Sequence, residues 1–398
     1  MTTQHLPAIA GHSAGPVQRT QRALAPDLAR GAMLLFIALA NAGNVAFAGS
    51  PGFDMTPHGL QRLLNVGLAL FVDARAYPVF AVMFGYGLVQ LSRRLRRDAG
   101  PQAERRVLLR RNVALVGFGL LHATLLYFGD FLGAYGIVGV VATLVLLRRS
   151  DRFHRAVVWL WGLQLGYVGF WAVSVLLGHG GSAAPVNIPV ASLAATSYAD
   201  SIGDRLAEWP VHTLTVLPFV VIVWLGIYAA RRRLLEDPVH APLLKKVAAV
   251  CLTVTFAGGL PYALVTAGWL HVDDPTMTAV SMLSNVSGMY GGPGYAALIG
   301  LVAFRLGARR PRGVEAVASL GRRSMTGYLT QSVVWVVVFS PWALDLGGSS
   351  YLALGVAVAT WLGTIAWATR LEARGDRGPA ERALRRIAYG RLVGRGAA

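Results

Sequence analysis

Ten apolar runs alternate with short polar connections along the chain: 31–49, 76–92, 112–128, 131–147, 156–177, 211–230, 247–270, 279–304, 324–344 and 351–369. At about 1.5 Å per residue, each run is roughly long enough to cross ~30 Å of hydrocarbon as a helix. The pattern predicts an all-α integral membrane protein, a bundle of about ten transmembrane helices. It divides the chain into a disordered cytoplasmic N-terminus (1–27), a polytopic membrane domain (28–370) and a basic cytoplasmic tail (371–398). Between the first two runs, "LQRLLNVGLALF" (60–71) reads as a short amphipathic helix at the outer interface or dipping into the bundle. The Gly/Ser/Ala/Pro-rich connection 178–210 reads as a long outer loop.

Composition agrees with this class. Of the 398 residues, 55% are hydrophobic and 14% charged, against about 25% charged in soluble domains. The net charge of +18 would suit nucleic acid if it formed one patch. It does not. When the connections are assigned alternately to two sides, all but three of the 37 Lys and Arg fall on one side; the exceptions are Arg62, Arg75 and Arg205. That is the positive-inside pattern, and it predicts both termini in the cytoplasm. The charge then serves topology and anionic lipid, with no nucleic-acid partner. Arg22, Arg30 and "AFA" (46–48) imitate a secretory signal, but the nine runs that follow favour an uncleaved first span. Cys251 has no partner for a disulfide and reads as a packed hydrophobe. Lys245 and Lys246 are the only lysines, an Arg bias that points to a GC-rich bacterium and its cytoplasmic membrane.

Ionisable groups inside spans are costly, so they are functional candidates by default. In "LLHATLLYFGDFLGAYGIVG" (120–139), His122 precedes and Asp130 occupies what reads as a two-residue turn. A turn that short makes the flanking spans antiparallel neighbours. Helical geometry then lets His122, Asp130 and Tyr135 converge in one pocket opening outward, with Asn41 of the first span nearby. Two readings stay open. The pair is a general base with its orienting partner, or Asp130 caps the fourth helix and His122 bonds a neighbouring helix. Other polar features are "SNVSGMYGGPGY" (284–295), which breaks the eighth span, and Tyr328, Gln331 and Ser332, which fall within one helical turn. The chain has no P-loop, HExxH, GxSxG or Cys/His metal cluster, which disfavours a nucleotide-driven pump or a zinc protease and predicts no metal.

Several blocks together resemble the YeiB-like family, domain of unknown function 418. They are "LAPDLARGAMLLFIALANAGN" with Asp27, Arg30, Gly31 and Asn41; "FAVMFGYGLVQLSRR" with Phe84, Gly85 and Gly87; "RRNVALVGFGLLHATLLYFGDFLGAYGIVG" with Arg110, Arg111, Gly119, His122, Gly129, Asp130, Tyr135 and Gly139; "GRRSMTGYLTQS"; and "GPAERALRRIAYG" with Gly378, Pro379, Glu381 and Arg385. Ala25-Pro26 and Gly327 depart from the family's usual residues. The resemblance implies kinship with transmembrane acyltransferases, which pass an acyl group from a cytoplasmic donor such as acyl-CoA to an acceptor at the other face. On that basis His122, Asp130, Tyr135 and Asn41 are expected at the catalytic site. Arg111, Arg110 and Arg30 are expected on the phosphates of acyl-CoA as co-substrate. The expected partners are membrane lipids and a glycan, lipid or metabolite acceptor. A small-molecule exporter and a non-catalytic membrane protein remain alternatives, since buried ionisable residues and broken helices suit a transporter equally well.

Overall fold

A computed structural model describes residues 23–48, 52–183 and 189–390, and among these every regular element is helical. The helices are α1 (Leu24–Ala46), α2 (Leu60–Gly67), α3 (Ala76–Leu125), α4 (Leu132–Val141), α5 (Asp151–Leu176), α6 (Ala191–Ala194), α7 (Tyr198–Val216), α8 (Val220–Arg231), α9 (Ala241–Thr266), α10 (Asp274–Gly288), α11 (Gly291–Leu306), α12 (Arg312–Gly321), α13 (Ser324–Phe339), α14 (Ser350–Ala373) and α15 (Pro379–Tyr389). Six helical stretches among the described residues are long and apolar enough to cross a membrane. Their surfaces agree with a multi-pass membrane protein. On α5, Trp159 and Leu163 are 78% and 73% exposed, an arrangement that water would penalise and lipid would not.

The longest helix is a hairpin. Gly100 adopts φ 80°, ψ 171° within α3, and Pro101 follows it. A positive φ suits glycine, and proline cannot continue the helical hydrogen bonding. The two arms fold back on each other: Ser92 donates to Glu104 across the turn, and the Arg111 guanidinium lies 5.5 Å from the Phe84 ring centre. In a straight helix those last two residues would stand about 40 Å apart. Where the arms meet their neighbours, small residues let backbones touch. A Cβ on Gly85 would strike the Val223 carbonyl, and one on Gly226 would strike that of Val82, so α3 and α8 are in reciprocal contact.

The basic connections gather at one end. Arg93 donates to the Ala230 carbonyl (3.1 Å), Arg231 pairs with Asp151 (2.6 Å), and Arg322 pairs with Glu315 (2.6 Å) and Glu372 (3.3 Å). Burial opposes the charge of Arg322, but its hydrogen bond to Glu315 and the neighbouring carboxylates outweigh it. The guanidinium is held above its usual range. At the other end, Gly348 N–H donates to Ala46 O (2.7 Å) and Ala183 N–H to Val272 O (2.8 Å).

Several boundaries differ from the hydropathy pattern. α1 begins at Leu24, because its first turns are covered by α12: Gly321 lies against the Asp27 carbonyl and Gly31 against that of Val317. The segment 1–27 expected to be disordered thus overlaps α1 from Leu24, and residues 1–22 lie outside those described. The expected loop 178–210 is largely structured. Its first part is pinned to the segment just before α10 by the His179–Asp273 and Ala183–Val272 backbone bonds. α7 starts at Tyr198, capped by the Ser197 side chain, and residues 184–188 are outside the described set. Segment 60–71 is helical as expected, its last turns π-type. The eighth run breaks at Met289–Tyr290. The basic tail contains α15, which packs against α3 and α13.

Candidate functional site

The connection 126–131 is longer than the two-residue turn expected at Gly129-Asp130. The His122 carbonyl ends α3 by accepting from both Leu126 N–H (2.9 Å) and Tyr127 N–H (3.1 Å). Asp130 starts α4: its carboxylate accepts from Leu132 N–H (3.1 Å) and Gly133 N–H (2.7 Å), two of the donors that a helix N-terminus leaves unpaired. The same carboxylate stands 2.9 Å from His122 Nδ1. Capping and pairing, alternatives in the sequence, are both present in one side chain. On the far side of the ring, His122 Nε2 is 2.8 Å from Ser332 Oγ of α13. Asp130, His122 and Ser332 thus form a continuous relay, with the Asp130 and His122 side chains wholly buried and Ser332 1% exposed.

The approach of α3 to α4 at this point depends on glycine. A Cβ on Gly119 would overlap Gly133 N and Asp130 Oδ2. Nearly two turns further along α4, Gly139 makes room for Asn112, which is fully buried. Asn112 donates to Thr143 Oγ1 (3.2 Å) and accepts from Arg111 (3.0 Å). The glycine spacing therefore orients both the relay and the arginine.

A cavity of about 290 Å³ lies beside the relay, walled by α1, α3, α4, α13 and α15. At the basic end it is lined by Arg30, Arg111, Arg322 and Glu381, and along its length by Phe80, Phe84, Tyr77, Phe131 and Tyr135. Arg30 and Asn41 both line it from α1, which gives a long axis of about 16 Å. Most charged groups in the wall are already engaged. Arg30 pairs with Asp27 (3.5 Å) and donates to Met83 O (3.0 Å); Gly87 leaves space for its guanidinium. Glu381 caps α13, accepting from Met325 N–H (2.9 Å), Thr326 N–H (3.0 Å) and the Thr326 hydroxyl (2.5 Å). Among the described residues Arg111 has no carboxylate in ion-pair reach, only Asn112 and the Phe84 ring.

Four of the seven residues singled out in the sequence line this chamber: Asn41, Tyr135, Arg30 and Arg111. Asn41 accepts from the Tyr127 hydroxyl (3.4 Å). Tyr135 donates to Tyr77 O (3.0 Å) and stacks on Phe84 with ring centres 5.3 Å apart. His122 and Asp130 are joined to each other but do not line the chamber, so the single pocket expected for all four catalytic candidates is instead two adjacent features. Tyr328 divides them. It lines the chamber, and its ring centre is 4.9 Å from that of His122. Arg110 is exposed, points away from the chamber and comes near Gly390 at the end of α15. Sequence reasoning placed Ser332 on the polar face of a span but did not pair it with His122, 210 positions away. It also missed Arg322, Tyr77 and Phe131, which carry no local signal.

Comparison with known proteins is consistent with this outline. Residues 229–391 match the family described as "Protein of unknown function (DUF418)". That segment carries Arg322, Tyr328, Ser332 and Glu381, and it excludes His122 and Asp130. The uncharacterized protein YxaH of Bacillus subtilis (strain 168) is 25% identical over 315 residues, covering 73% of each chain.

Proposed function

Starting from a chain whose residues 229–391 match the DUF418 family, we propose that the protein is a membrane-embedded acyltransferase. In this reading it takes an acyl group from a cytoplasmic acyl-CoA-type donor and passes it to a glycan, lipid or metabolite acceptor at the opposite face. The observation that supports it most is the chamber itself: arginines at one end, aromatic walls along its length, and Tyr328 as the partition from His122. An activated acyl donor has the matching polarity, with phosphates at one end and an apolar arm ending in the reactive carbonyl. Arg111 is the phosphate ligand, since its guanidinium has donors to spare, with Arg30 and Arg322 adding positive potential. His122, oriented by Asp130, is the base that takes the acceptor's proton.

The topology belongs to the same reading: ten spans in a bacterial cytoplasmic membrane, with the basic end inward. It is supported by the gathering of Arg93, Arg231 and Arg322 at one end of the bundle.

Titration of acetyl-CoA and palmitoyl-CoA into the protein in nanodiscs tests the donor site. Arg111→Ala is expected to weaken binding about 10- to 100-fold, the worth of one charge-assisted contact, with the unfolding temperature unchanged. Absence of binding by either probe discards the reading. A second reading, a small-molecule exporter, is favoured by the break between α10 and α11. Counterflow of an unmodified solute in liposomes would select it.

A further inference from the structure

We infer that Ser332 is a nucleophile that carries the acyl group, so that transfer proceeds through an acyl ester on its Oγ. The inference rests on the acyl-transfer reading but makes a separate claim about the route.

The hydrogen bonds favour one tautomer. Both Asp130 oxygens already accept from backbone N–H groups, and in the same acceptor role Oδ1 receives the N–H of the His122 nitrogen beside it, Nδ1. In the neutral ring Nε2 is then bare and accepts from the Ser332 hydroxyl at 2.8 Å, a nearer acceptor than Tyr328 O at 3.5 Å. This is the arrangement that activates a serine: carboxylate to Nδ1–H, Nε2 to O–H. A helix-to-helix link alone would not need it. A neutral amide opposite Ser332 would join α3 to α13 without burying a carboxylate in the bundle.

The position of Ser332 also fits. It lies one turn beyond Tyr328 on α13, on the relay side of the residue that walls the chamber. The Tyr328 hydroxyl is 3.4 Å from Gly129 O, long for an O–H···O bond, so the ring is held by packing against Leu34, Leu320 and the His122 ring rather than by a strong hydrogen bond. The route requires that ring to turn aside and join the chamber to Ser332 Oγ.

The chemistry balances without a further reactant. Ser332 Oγ attacks the carbonyl of an acyl thioester or ester while its proton passes to His122 Nε2. The bond from the carbonyl carbon to the leaving sulfur or oxygen breaks, and the leaving group takes the proton from the imidazolium. An acceptor hydroxyl or amine then attacks the Ser332 ester, gives its proton to Nε2, and Oγ departs and recovers it.

The test uses the full chain in nanodiscs with p-nitrophenyl acetate and, separately, a fluorophosphonate probe, neither of which requires the natural donor. The expected result is a burst of about one equivalent of p-nitrophenol and an acetyl or phosphonyl adduct on the peptide containing Ser332. Ser332→Ala should lose both, with an acylation rate lower by roughly 10³-fold or more, while unfolding at the same temperature. Ser332→Cys should regain an ester-derived adduct as a thioester. An adduct on another residue, or none on a folded wild-type protein, overturns the inference. Acyl-CoA-dependent transfer by Ser332→Ala above a tenth of the wild-type rate also overturns it, and leaves the acyltransferase reading intact. An adduct on Ser332 without any transfer from acyl-CoA upholds the nucleophile and removes that reading instead.

Discussion

Replacing Asp130 by Asn tests the relay without changing its shape. The carboxylate receives three N–H groups, from Leu132, Gly133 and His122. An Asn oxygen in place of Oδ2 keeps the cap bond from Gly133, while the NH₂ in place of Oδ1 gives up the one from Leu132. That NH₂, turned to the imidazole, can only donate. His122 must then accept at Nδ1 and carry its proton on Nε2, where it points at Ser332 Oγ and can no longer take a proton. The chemical step should fall by about 10⁴-fold, the scale seen when a relay carboxylate is amidated elsewhere. Stability should change less. The two bonds that become neutral lose about 1 kcal/mol each and the Leu132 N–H left without its acceptor costs about 1–3 kcal/mol, a ceiling of about 5 kcal/mol that is partly offset by no longer burying a charge. Asp130→Ala makes the contrast. It leaves three buried donors unpaired at about 1–3 kcal/mol each and should fail to accumulate as folded protein. Single-turnover acyl transfer and thermal unfolding are measured on the same preparations. An Asp130→Asn protein with transfer within threefold of wild type would refute the assigned tautomer.

Other substitutions probe the supports of the site. Gly119→Ala puts a Cβ into Gly133 N and Asp130 Oδ2 and should destabilise by about 1–3 kcal/mol. Gly117→Ala, with nothing within 4 Å, should be neutral or stabilising by up to ~1 kcal/mol in the same unfolding assay. Glu381→Ala should uncap α13 at a cost of about 1–2 kcal/mol, read as a lower unfolding temperature together with slower transfer; full activity and stability would contradict the cap. At the opposite end of the bundle, Asp273 caps α10 through Thr276 N–H (3.0 Å), and its hydrogen bonds to Thr276 hold its carboxyl below the usual range. That contribution is present above the ordinary carboxylate range and is lost as pH falls through the lowered folded value. Asp273→Asn should therefore flatten the acid limb of the stability–pH curve, and an unchanged limb would count against the cap.

The helical membrane class was legible because hydropathy and charge placement are summed over whole segments, and local errors average out. Helix ends were not, because tertiary contacts set them. Asp27 and Arg30 read as flanking charge, yet they sit within α1, which α12 covers at Gly31 and Gly321. His122 and Asp130 were legible since one short connection links them. Ser332 was not, because its partner is 210 positions away and a polar residue on a span has many uses. Arg110 and Arg111 are adjacent and chemically identical, so only the rotation of α3 about its axis sends one into the chamber and the other out.

The Glu381 cap also orders events during biosynthesis. Met325 and Thr326 offer N–H groups whose partner lies 56 and 55 residues later in the chain. At about 5–20 residues per second, α13 is inserted for several seconds with its first turn open, and the wall that holds Tyr328 and Ser332 stays unfinished. A chain stopped at Ala380 would have made every long helix but could not close that wall. It should reach the membrane and then be cleared by quality-control proteases. Pulse-chase decay of such a truncation against the full chain would show it, and equal lifetimes would separate the cap from maturation.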